Sequence, residues 1–330
     1  MSIPADSQAT APKSPRILLI DTLRGIALIA MATYHLTWDL EFFGYLDPGT
    51  ATQGFFRIYA RSIASSFLFL AGVSLVLAHG RGIRWTSFWK RFAIVAGAAA
   101  AISIATYIAF PHEWIYFGIL HNIAVSSVIG VLFLQLPLAI GIIVPLVIVV
   151  AMIADASVMP GFLHSPAFDT RWLSWIGFAE LPPRSNDYVP LFPWLAALLA
   201  GVAIARIAIA RGWNFRLADV QRRDTLLAKA GRHSLVVYLV HQPVLIGLVY
   251  LFSLVSPPPA VDPRVNYMSS CQMSCVKEAD EATCRQFCGC TADALIGQQL
   301  MTPLQGGEIS AQDNRIQIIA QECSAAIPAQ

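Results

Sequence analysis

The sequence predicts an all-α fold: a polytopic membrane helix bundle of about seven spans, followed by a small disulfide-stapled α-helical tail. Apolar residues make up 56% of the 330 residues and charged residues only 13%, whereas a soluble domain is typically about 25% charged. The apolar residues also come in blocks of about 20, the length that crosses a bilayer. Every cysteine lies at or after Cys271, so the tail differs from the rest of the chain.

Three parts are predicted along the chain. Residues 1–15 are polar and are expected to form a disordered cytoplasmic N-terminus. Residues 16–256 form the membrane domain, and residues 257–330 form an extracytoplasmic cysteine-rich tail. The run Ser256-Pro257-Pro258-Pro259 ends the last span and stiffens the exit from it. The predicted spans are 17–39, 60–79, 90–110, 114–134, 137–156, 190–210 and 235–256.

The basic residues predict the orientation of the spans. Lys and Arg concentrate in segments that a seven-span arrangement places on one side, and such segments are usually cytoplasmic. We therefore expect the N-terminus inside and the C-terminus outside. A net charge of +2 is too small to indicate a nucleic-acid partner. The basic residues in question are Lys13, Arg16, Arg81, Arg84, Lys90, Arg91, Arg206, Arg211, Arg216, Arg222, Arg223, Lys229 and Arg232.

The cysteines of the tail have a regular spacing. The first four follow the pattern C-x3-C-x8-C-x3-C, in which each x3 pair lies on one face of a helix. A helical hairpin with its turn near 276–283 would join Cys271 to Cys288 and Cys275 to Cys284, which leaves Cys290 for Cys323. Cysteines confined to the predicted outer segment fit an oxidising compartment. Six cysteines allow 15 pairings, and a metal site or free thiols are the alternatives.

The first span carries the most informative polar residues. His35 and Asp39 are four residues apart and therefore share one helix face, and ionisable side chains at membrane depth usually line a cavity or a pathway. Because three helical turns take about 11 residues, Arg24, Leu28, Met31, His35 and Asp39 form one stripe. We predict His35 and Asp39 as catalytic residues and Arg24 as a substrate-binding residue. Alternatively, Arg24 only anchors the helix end at the interface.

Three other spans contribute predicted substrate-binding residues. His121 and Asn122 are expected about two turns into the fourth span, at a depth similar to that of His35. In the last span, Pro243 removes a backbone donor and tends to kink the helix next to two polar residues. The alternatives are helix packing, a histidine bound to a neighbouring carbonyl and an interfacial tryptophan. The predicted substrate-binding residues are Arg24, His121, Asn122, Trp194, His241 and Gln242.

The remaining histidines fall at predicted helix ends or in loops, where we expect water to satisfy them. Buried histidines can ligate a metal, but no two here share a short spacing on one helix, so no bound metal is expected. Nucleophile-elbow, P-loop and Rossmann patterns do not stand out. The remaining histidines are His79, His112, His164 and His233.

Five short runs, in order over roughly residues 16–256, resemble the heparan-alpha-glucosaminide N-acetyltransferase-like family of integral membrane acyltransferases and its bacterial members. The first run continues into Tyr34-His35 and Asp39. The last is followed by His241-Gln242-Pro243. The five runs are Asp21-Thr22-Leu23-Arg24-Gly25-Ile26-Ala27, Ser66-Phe67-Leu68-Phe69-Leu70-Ala71-Gly72, Phe117-Gly118-Ile119-Leu120-His121-Asn122, Phe192-Pro193-Trp194 and Gly231-Arg232-His233-Ser234-Leu235.

The resemblance implies transfer of an acetyl group across a membrane, from acetyl-CoA on the cytoplasmic side to a sugar amine on the other side, with a histidine in the chemistry. It implies the lipid bilayer, an acyl-CoA and an extracytoplasmic glycan or amino-sugar as partners. With a bacterial member of the family, the orientation predicted from the basic residues and the cysteines corresponds to the inner membrane with a periplasmic C-terminus. A homodimer is a further expectation. The family's lysosomal enzyme has its catalytic histidine in the first lumenal loop, but the corresponding residues 41–59 contain none. His35 is therefore expected to take this role.

The predicted function is that of an acetyl-CoA-dependent N- or O-acetyltransferase of the membrane. A transporter or permease with a histidine-lined path is the main alternative, because intramembrane His, Asp and Arg fit it equally well. No inverted repeat of the transporter type stands out in the sequence. A scaffold that anchors the cysteine tail outside the membrane is a third class.

Overall fold

A computed structural model describes residues 17–80, 82–221, 223–259, 262–276 and 279–326. The predicted disordered segment 1–15 lies outside these residues. The described residues form α-helices joined by turns and loops, without a β-strand. The helices are α1 (Leu18–Phe42), α2 (Gly54–His79), α3 (Trp85–Ala109), α4 (Ile119–Phe133), α5 (Leu138–Ser157), α6 (Leu191–Ala210), α7 (Trp213–Val220), α8 (Leu226–Arg232), α9 (Ser234–Val255), α10 (Pro263–Cys275), α11 (Glu281–Gly297), α12 (Met301–Gln305) and α13 (Asn314–Ala325).

Six of the described helices are long and apolar enough to cross a membrane, namely α1, α2, α3, α5, α6 and α9. The predicted fourth span corresponds to α4, which is apolar but shorter, at 15 residues. The predicted fold class, an all-α membrane bundle with a disulfide-stapled tail, is confirmed.

The start of α4 differs from the prediction. The segment before it is extended and pairs with the loop that precedes α6: Asn186 N–H donates to the Glu113 carbonyl at 2.9 Å, and Val189 N–H donates to the Phe117 carbonyl at 3.1 Å. These bonds hold the backbone out of a helix until Ile119. His121 therefore lies in the first turn of α4, and the expectation of a position two turns inside the helix was wrong.

The chain divides into two compact units, one of residues up to 33 together with 58–243, the other of residues 34–57 together with 244 onward. The core of the first unit contains Leu68 and Val76 from α2 and Leu198, Leu199 and Val202 from α6, each at most 2% exposed. These two helices meet at glycines: a side chain on Gly72 would overlap the Leu198 carbonyl, and one on Gly201 would overlap the Phe69 carbonyl. Small residues let membrane helices pack with their backbones close together.

The second unit includes the cysteine-rich tail. It has three disulfides, Cys271–Cys288, Cys275–Cys284 and Cys290–Cys323, which are the pairs that the hairpin argument favoured. The first two join α10 to α11, and the third joins α11 to α13. Leu295, Met301 and Ile319 form a small apolar core beside them.

Candidate functional site

The predicted catalytic residues lie on the buried face of α1. Leu28, Met31 and Asp39 are 3%, 4% and 0% exposed, whereas Ile26 and Ile29 on the opposite face are 50% and 55% exposed. The predicted stripe is therefore the packed face of the helix. His35 is half-buried on this face, with its ring edge-on to the ring of Tyr34 at 5.6 Å between centroids. A fully buried carboxylate one turn after an imidazole is a suitable group to orient it and stabilise its charged form.

The chain that follows this pair is held by Glu41. Its two carboxylate oxygens accept the backbone N–H groups of Gly49 and Ala51, each at 2.7 Å. Ala51 is completely buried. These bonds fix the loop after α1, which is the loop that lacks the family's histidine. Glu41, two residues after Asp39, thus holds the backbone of the loop at Gly49 and Ala51 in place.

Arg24 is held inside the first unit. Its guanidinium donates to Asp21 Oδ1 at 3.1 Å and to the hydroxyl of Ser74 on α2. Near Arg24, α1 packs closely on α8, because a side chain on Gly25 would overlap the Leu227 carbonyl. These contacts hold the guanidinium against α2, and the role of Arg24 in substrate binding stays a prediction.

Both ring nitrogens of His121 have protein partners. Nδ1 accepts the backbone N–H of Gly118 at 3.2 Å, so the ring proton of the neutral form lies on Nε2. Nε2 is 3.1 Å from the hydroxyl of Ser103. That hydroxyl donates to the Ile115 carbonyl at 2.6 Å and therefore accepts from Nε2. Protonation of Nδ1 would break the bond from the Gly118 N–H. His121 is therefore better suited to stabilise the start of α4 than to accept a proton.

Asn122 joins α4 to the start of α6. Its amide nitrogen donates to the carbonyls of Val189 and Pro190 at 3.1 and 2.7 Å, and its amide oxygen accepts from Ser126 at 2.7 Å. The side chain is completely buried. Its hydrogen bonds therefore fix the extended loop before α6, and any effect on a substrate would pass through that loop.

Asp187 contacts the first residue of α4 and was not predicted as a site residue. Its Oδ2 accepts the backbone N–H of Ile119 at 3.0 Å. Gly118 makes room for it, since a Cβ there would overlap the carboxylate. Burial raises the pKa of Asp187 to about 6, and the bond from Ile119 lowers it only in part. No sequence pattern predicts this contact, because it joins residues 68 positions apart.

The other predicted substrate-binding residues lie on α6 and α9. Trp194 is half-buried and packs against the core of the first unit. On α9, the Nδ1–H of His241 donates to the backbone carbonyl of Tyr238, and the two rings are 5.6 Å apart. Gln242 follows in the same helix. Trp194, His241 and Gln242 stay predicted substrate-binding residues.

Two of the remaining histidines are not in the surroundings that we expected. His164 Nδ1 is 3.1 Å from Asp155 Oδ2, and the other oxygen of Asp155 accepts the N–H of Leu163 at 2.9 Å. His79 is only 4% exposed and accepts the backbone N–H of Arg84 at 3.2 Å. The expectation that water satisfies these two rings was wrong. Asp155 in the last turn of α5 and His164 in the loop that follows thus form an imidazole–carboxylate pair.

The predicted site residues divide between the two units. Arg24, His121, Asn122, Trp194, His241 and Gln242 belong to the first unit, and His35 and Asp39 belong to the second. Within the described residues, no three His, Cys, Asp or Glu side chains converge as metal ligands, and the absence of a bound metal stays a prediction. The tail cysteines are all in disulfides.

Comparison with known proteins identified one family. The model of the family described as "Heparan-alpha-glucosaminide N-acetyltransferase, catalytic" matches residues 16–243. No curated protein and no solved structure gave a significant match. The matched segment covers more than two thirds of the chain, from before α1 to Pro243 in α9, and ends before the cysteine-rich tail.

Proposed function

Because the chain belongs to the heparan-alpha-glucosaminide N-acetyltransferase catalytic family, we propose that it is an integral membrane acyltransferase. It moves an acetyl or other acyl group from a cytoplasmic acyl-CoA, with acetyl-CoA as co-substrate, to an extracytoplasmic sugar amine or hydroxyl. The observation that carries the proposal is the family match over the membrane helices, and the predicted stripe of Arg24, His35 and Asp39 lies within the matched residues.

In the proposed reaction, His35 acts as the general base. It takes the proton of the acceptor amine or hydroxyl as that group attacks the thioester carbonyl. The carbon–sulfur bond then breaks, and the coenzyme A thiolate leaves and receives the proton. Asp39, fully buried one turn along the same face, orients the imidazole and stabilises its charged form. In a second version of this chemistry, His35 carries the acyl group between donor and acceptor.

Arg24 supplies the positive charge for the phosphates of the donor, from the opposite end of the same helix face. Eleven residues separate it from His35, a distance of about 16 Å along the axis. Trp194, His241 and Gln242 are proposed to contact the acceptor or the acyl carbonyl. His121 and Asn122 are proposed to contribute to substrate binding indirectly. His121 bonds to Gly118 in the segment before α4, and Asn122 bonds to the loop before α6.

We propose a multi-pass arrangement in the bacterial inner membrane, with the N-terminus cytoplasmic and the C-terminus periplasmic. The basic segments support the cytoplasmic side. Three disulfides in the tail support an oxidising compartment for the C-terminus.

The test is acetyl transfer by the purified protein. Acetyl-CoA and glucosamine are supplied, release of the coenzyme A thiol is followed by absorbance, and the acetylated sugar is identified by mass spectrometry. General base catalysis typically contributes about 10²–10⁴-fold, so His35→Ala should lower kcat/KM by at least about 100-fold. His112→Ala is the matched control, because His112 is an exposed loop histidine.

Two results would contradict the assignment. Normal turnover by His35→Ala would remove His35 from the chemistry. If His164→Ala then lost activity instead, the base would be the imidazole beside Asp155. Uptake of a labelled solute by reconstituted protein, without any acyl transfer, would favour a transporter.

A further inference from the structure

The N-terminus of α4 is recessed relative to the end of α3. Ile115, in the extended segment before α4, bonds to two side chains of α3: its N–H donates to Thr106 Oγ1 at 3.0 Å, and its carbonyl accepts from Ser103 at 2.6 Å. Ser103 also lies 3.1 Å from His121 in the first turn of α4. Because α3 continues from Ser103 to Ala109, a rise of about 9 Å, extended chain takes the place of helix at this end of α4.

Asp187 lies in the extended segment before α6 and is fixed at the recessed helix end. Its Oδ2 accepts the backbone N–H of Ile119 at 3.0 Å. Its Oδ1 has no protein partner among the residues that the structure describes. The side chain is only half-buried, and Oδ1 stays accessible. One carboxylate oxygen is therefore held in place while the other is open to a ligand.

The hydroxyl of Tyr238 on α9 lies close enough to Asp187 for the carboxylate charge to act on it. No hydrogen bond joins the two groups, and within the described part of the chain the Tyr238 hydroxyl has no partner of its own. The ring of Tyr238 packs against the core of the first unit, which fixes the position of the hydroxyl. Two polar groups that are near each other but too far apart to bond leave space for a ligand group that bonds to both.

The carboxylate of Asp187 has no counter-charge beside it. Among the described residues, no Lys, Arg or His forms an ion pair with it. Arg184, the nearest basic residue along the chain, is 3.8 Å from Glu113 instead. A charge that is largely surrounded by protein and has no counter-charge costs free energy. A ligand that brings a positive charge offsets this cost, and a neutral ligand offsets less of it.

We propose that Asp187 and Tyr238 bind the acceptor of the transfer reaction, with the ammonium group of an amino-sugar between Asp187 Oδ1 and the Tyr238 hydroxyl. A hydrogen bond from an ammonium group to a carboxylate is roughly twice as strong as one between neutral groups, so Asp187 favours an amine over a hydroxyl at this place. The inference rests on the proposed function and adds to it the residue that selects between these two acceptors. It concerns binding, and His35 stays the proposed general base.

The experiment measures sugar binding in the absence of acyl-CoA. Radiolabelled glucosamine and glucose are titrated at pH 7 into the purified full-length protein in mild detergent. The wild type should bind glucosamine at least about tenfold more tightly than glucose, because a charge-assisted hydrogen bond contributes more than a neutral one. Asp187→Asn should lower the glucosamine affinity about tenfold and leave the glucose affinity within about threefold, so that the preference disappears.

Three further variants accompany this measurement. Asp187→Glu keeps the charge and should retain part of the preference, and Tyr238→Phe should weaken glucosamine binding about threefold. Asp169→Asn is the matched control, because Asp169 is another half-buried aspartate of the first unit. Its Oδ1 accepts the N–H groups of Glu180 and Leu181 at 2.7 and 2.9 Å, so this variant should change both affinities less than about twofold. Melting curves recorded in parallel identify any variant that does not fold.

The outcomes separate the binding site from the proposed function. A preference that Asp187→Asn removes, in a protein that transfers no acyl group, supports the site and contradicts the proposed function. Acetyl transfer to glucosamine with an unchanged KM in Asp187→Asn contradicts the site and leaves the proposed function standing. The proposal is overturned if the wild type binds neither sugar or binds both equally. It is also overturned if Asp187→Asn lowers the two affinities by the same factor, as a purely structural role predicts.

Discussion

In the first unit the helices approach one another at glycines, whereas in the second unit they are joined by disulfides. Gly72 on α2 and Gly201 on α6 each face a backbone carbonyl of the other helix. The tail helices α10, α11 and α13 instead carry three disulfides around a small apolar core. Both units consist of helices, yet different interactions hold them.

The difference fits the surroundings that we propose, lipid for the membrane helices and water for the cysteine-rich tail. Between helices in lipid there is little hydrophobic driving force, so close packing of backbones supplies much of the attraction. Helices α3 and α9 bury little of their apolar surface inside the protein, as expected of helices that face lipid. Only 6% of the most apolar 18-residue stretch of each is buried, whereas 50% of the corresponding stretch of α6 is buried. A small domain in water has too little core to be stable and is commonly stapled. Perturbing one kind of interaction should therefore affect one unit and spare the other.

The largest effect is expected at the crossing of α2 and α6. In Gly72→Ala combined with Gly201→Ala, two methyl groups meet backbone carbonyls that cannot move without separating the helices. We expect a loss of about 4 kcal/mol in stability, because overpacking at one site typically costs about 1–3 kcal/mol. This loss is measured as a lower melting temperature in detergent, with the folded fraction at each temperature determined by size-exclusion chromatography.

The matched control for this crossing is Gly97→Ala on α3, where an added Cβ has no neighbour within 4 Å. Alanine is the better helix former by about 1 kcal/mol, so this variant should be at least as stable as the wild type. Equal stability of the double variant and the control would show that the glycine contacts do not hold the first unit.

The disulfide that closes the longest loop should matter most to the tail. Cys290 and Cys323 are 33 residues apart, against 9 for Cys275 and Cys284. When Cys290 and Cys323 are both changed to serine, chain entropy predicts that the free energy of unfolding of the tail falls by about 3–4 kcal/mol. The same change at Cys275 and Cys284 should lower it by about 1 kcal/mol less. Limited proteolysis of the full chain, read as tail cleavage against denaturant concentration, ranks the two variants.

Reduction of the wild-type protein gives the complementary result. The membrane helices contain no cysteine, so dithiothreitol should expose the tail to protease and leave the melting temperature of the first unit unchanged. A tail that resists protease equally well when reduced would mean that its apolar core is sufficient by itself.

The sequence predicted what depends on local pattern. Apolar blocks predicted the spans, with ends up to six residues away from those of the helices, because bilayer thickness fixes their approximate length. The C-x3-C spacing predicted the two disulfides that join α10 to α11, because i, i+4 positions share a helix face, and the pair of Cys290 and Cys323 was what remained. The stripe from Arg24 to Asp39 is the buried face of α1 for the same reason.

Contacts between distant segments could not be predicted in this way. The start of α4 is set by hydrogen bonds to residues 186–189, and Asp187 reaches Ile119 across 68 residues. The pair of Asp155 and His164 depends on how one loop turns back. A single sequence shows the polar residues involved, but not which of them meet.

The smallest expected effect is a pH dependence at Asp187, in the first unit. Its pKa in the folded protein is raised to about 6 from 3.8, so folding favours the protonated carboxyl. This contribution is fully present below about pH 3.8 and is lost as the pH rises through about 6. Between pH 4 and pH 7, the wild type should lose about 2 kcal/mol that Asp187→Asn does not lose, since one pKa unit corresponds to about 1.4 kcal/mol.

Asp187→Asn keeps an oxygen that can accept the N–H of Ile119, so the difference between the two pH profiles reports the charge rather than the lost bond. Gly118→Ala provides a second route to the same result, because the added methyl group displaces the carboxylate from its buried position. Reduction of the tail should leave the pH profile as it is, since Asp187 belongs to the first unit. Parallel melting curves for the wild type and Asp187→Asn from pH 4 to pH 7 would show that the buried carboxylate carries no such penalty.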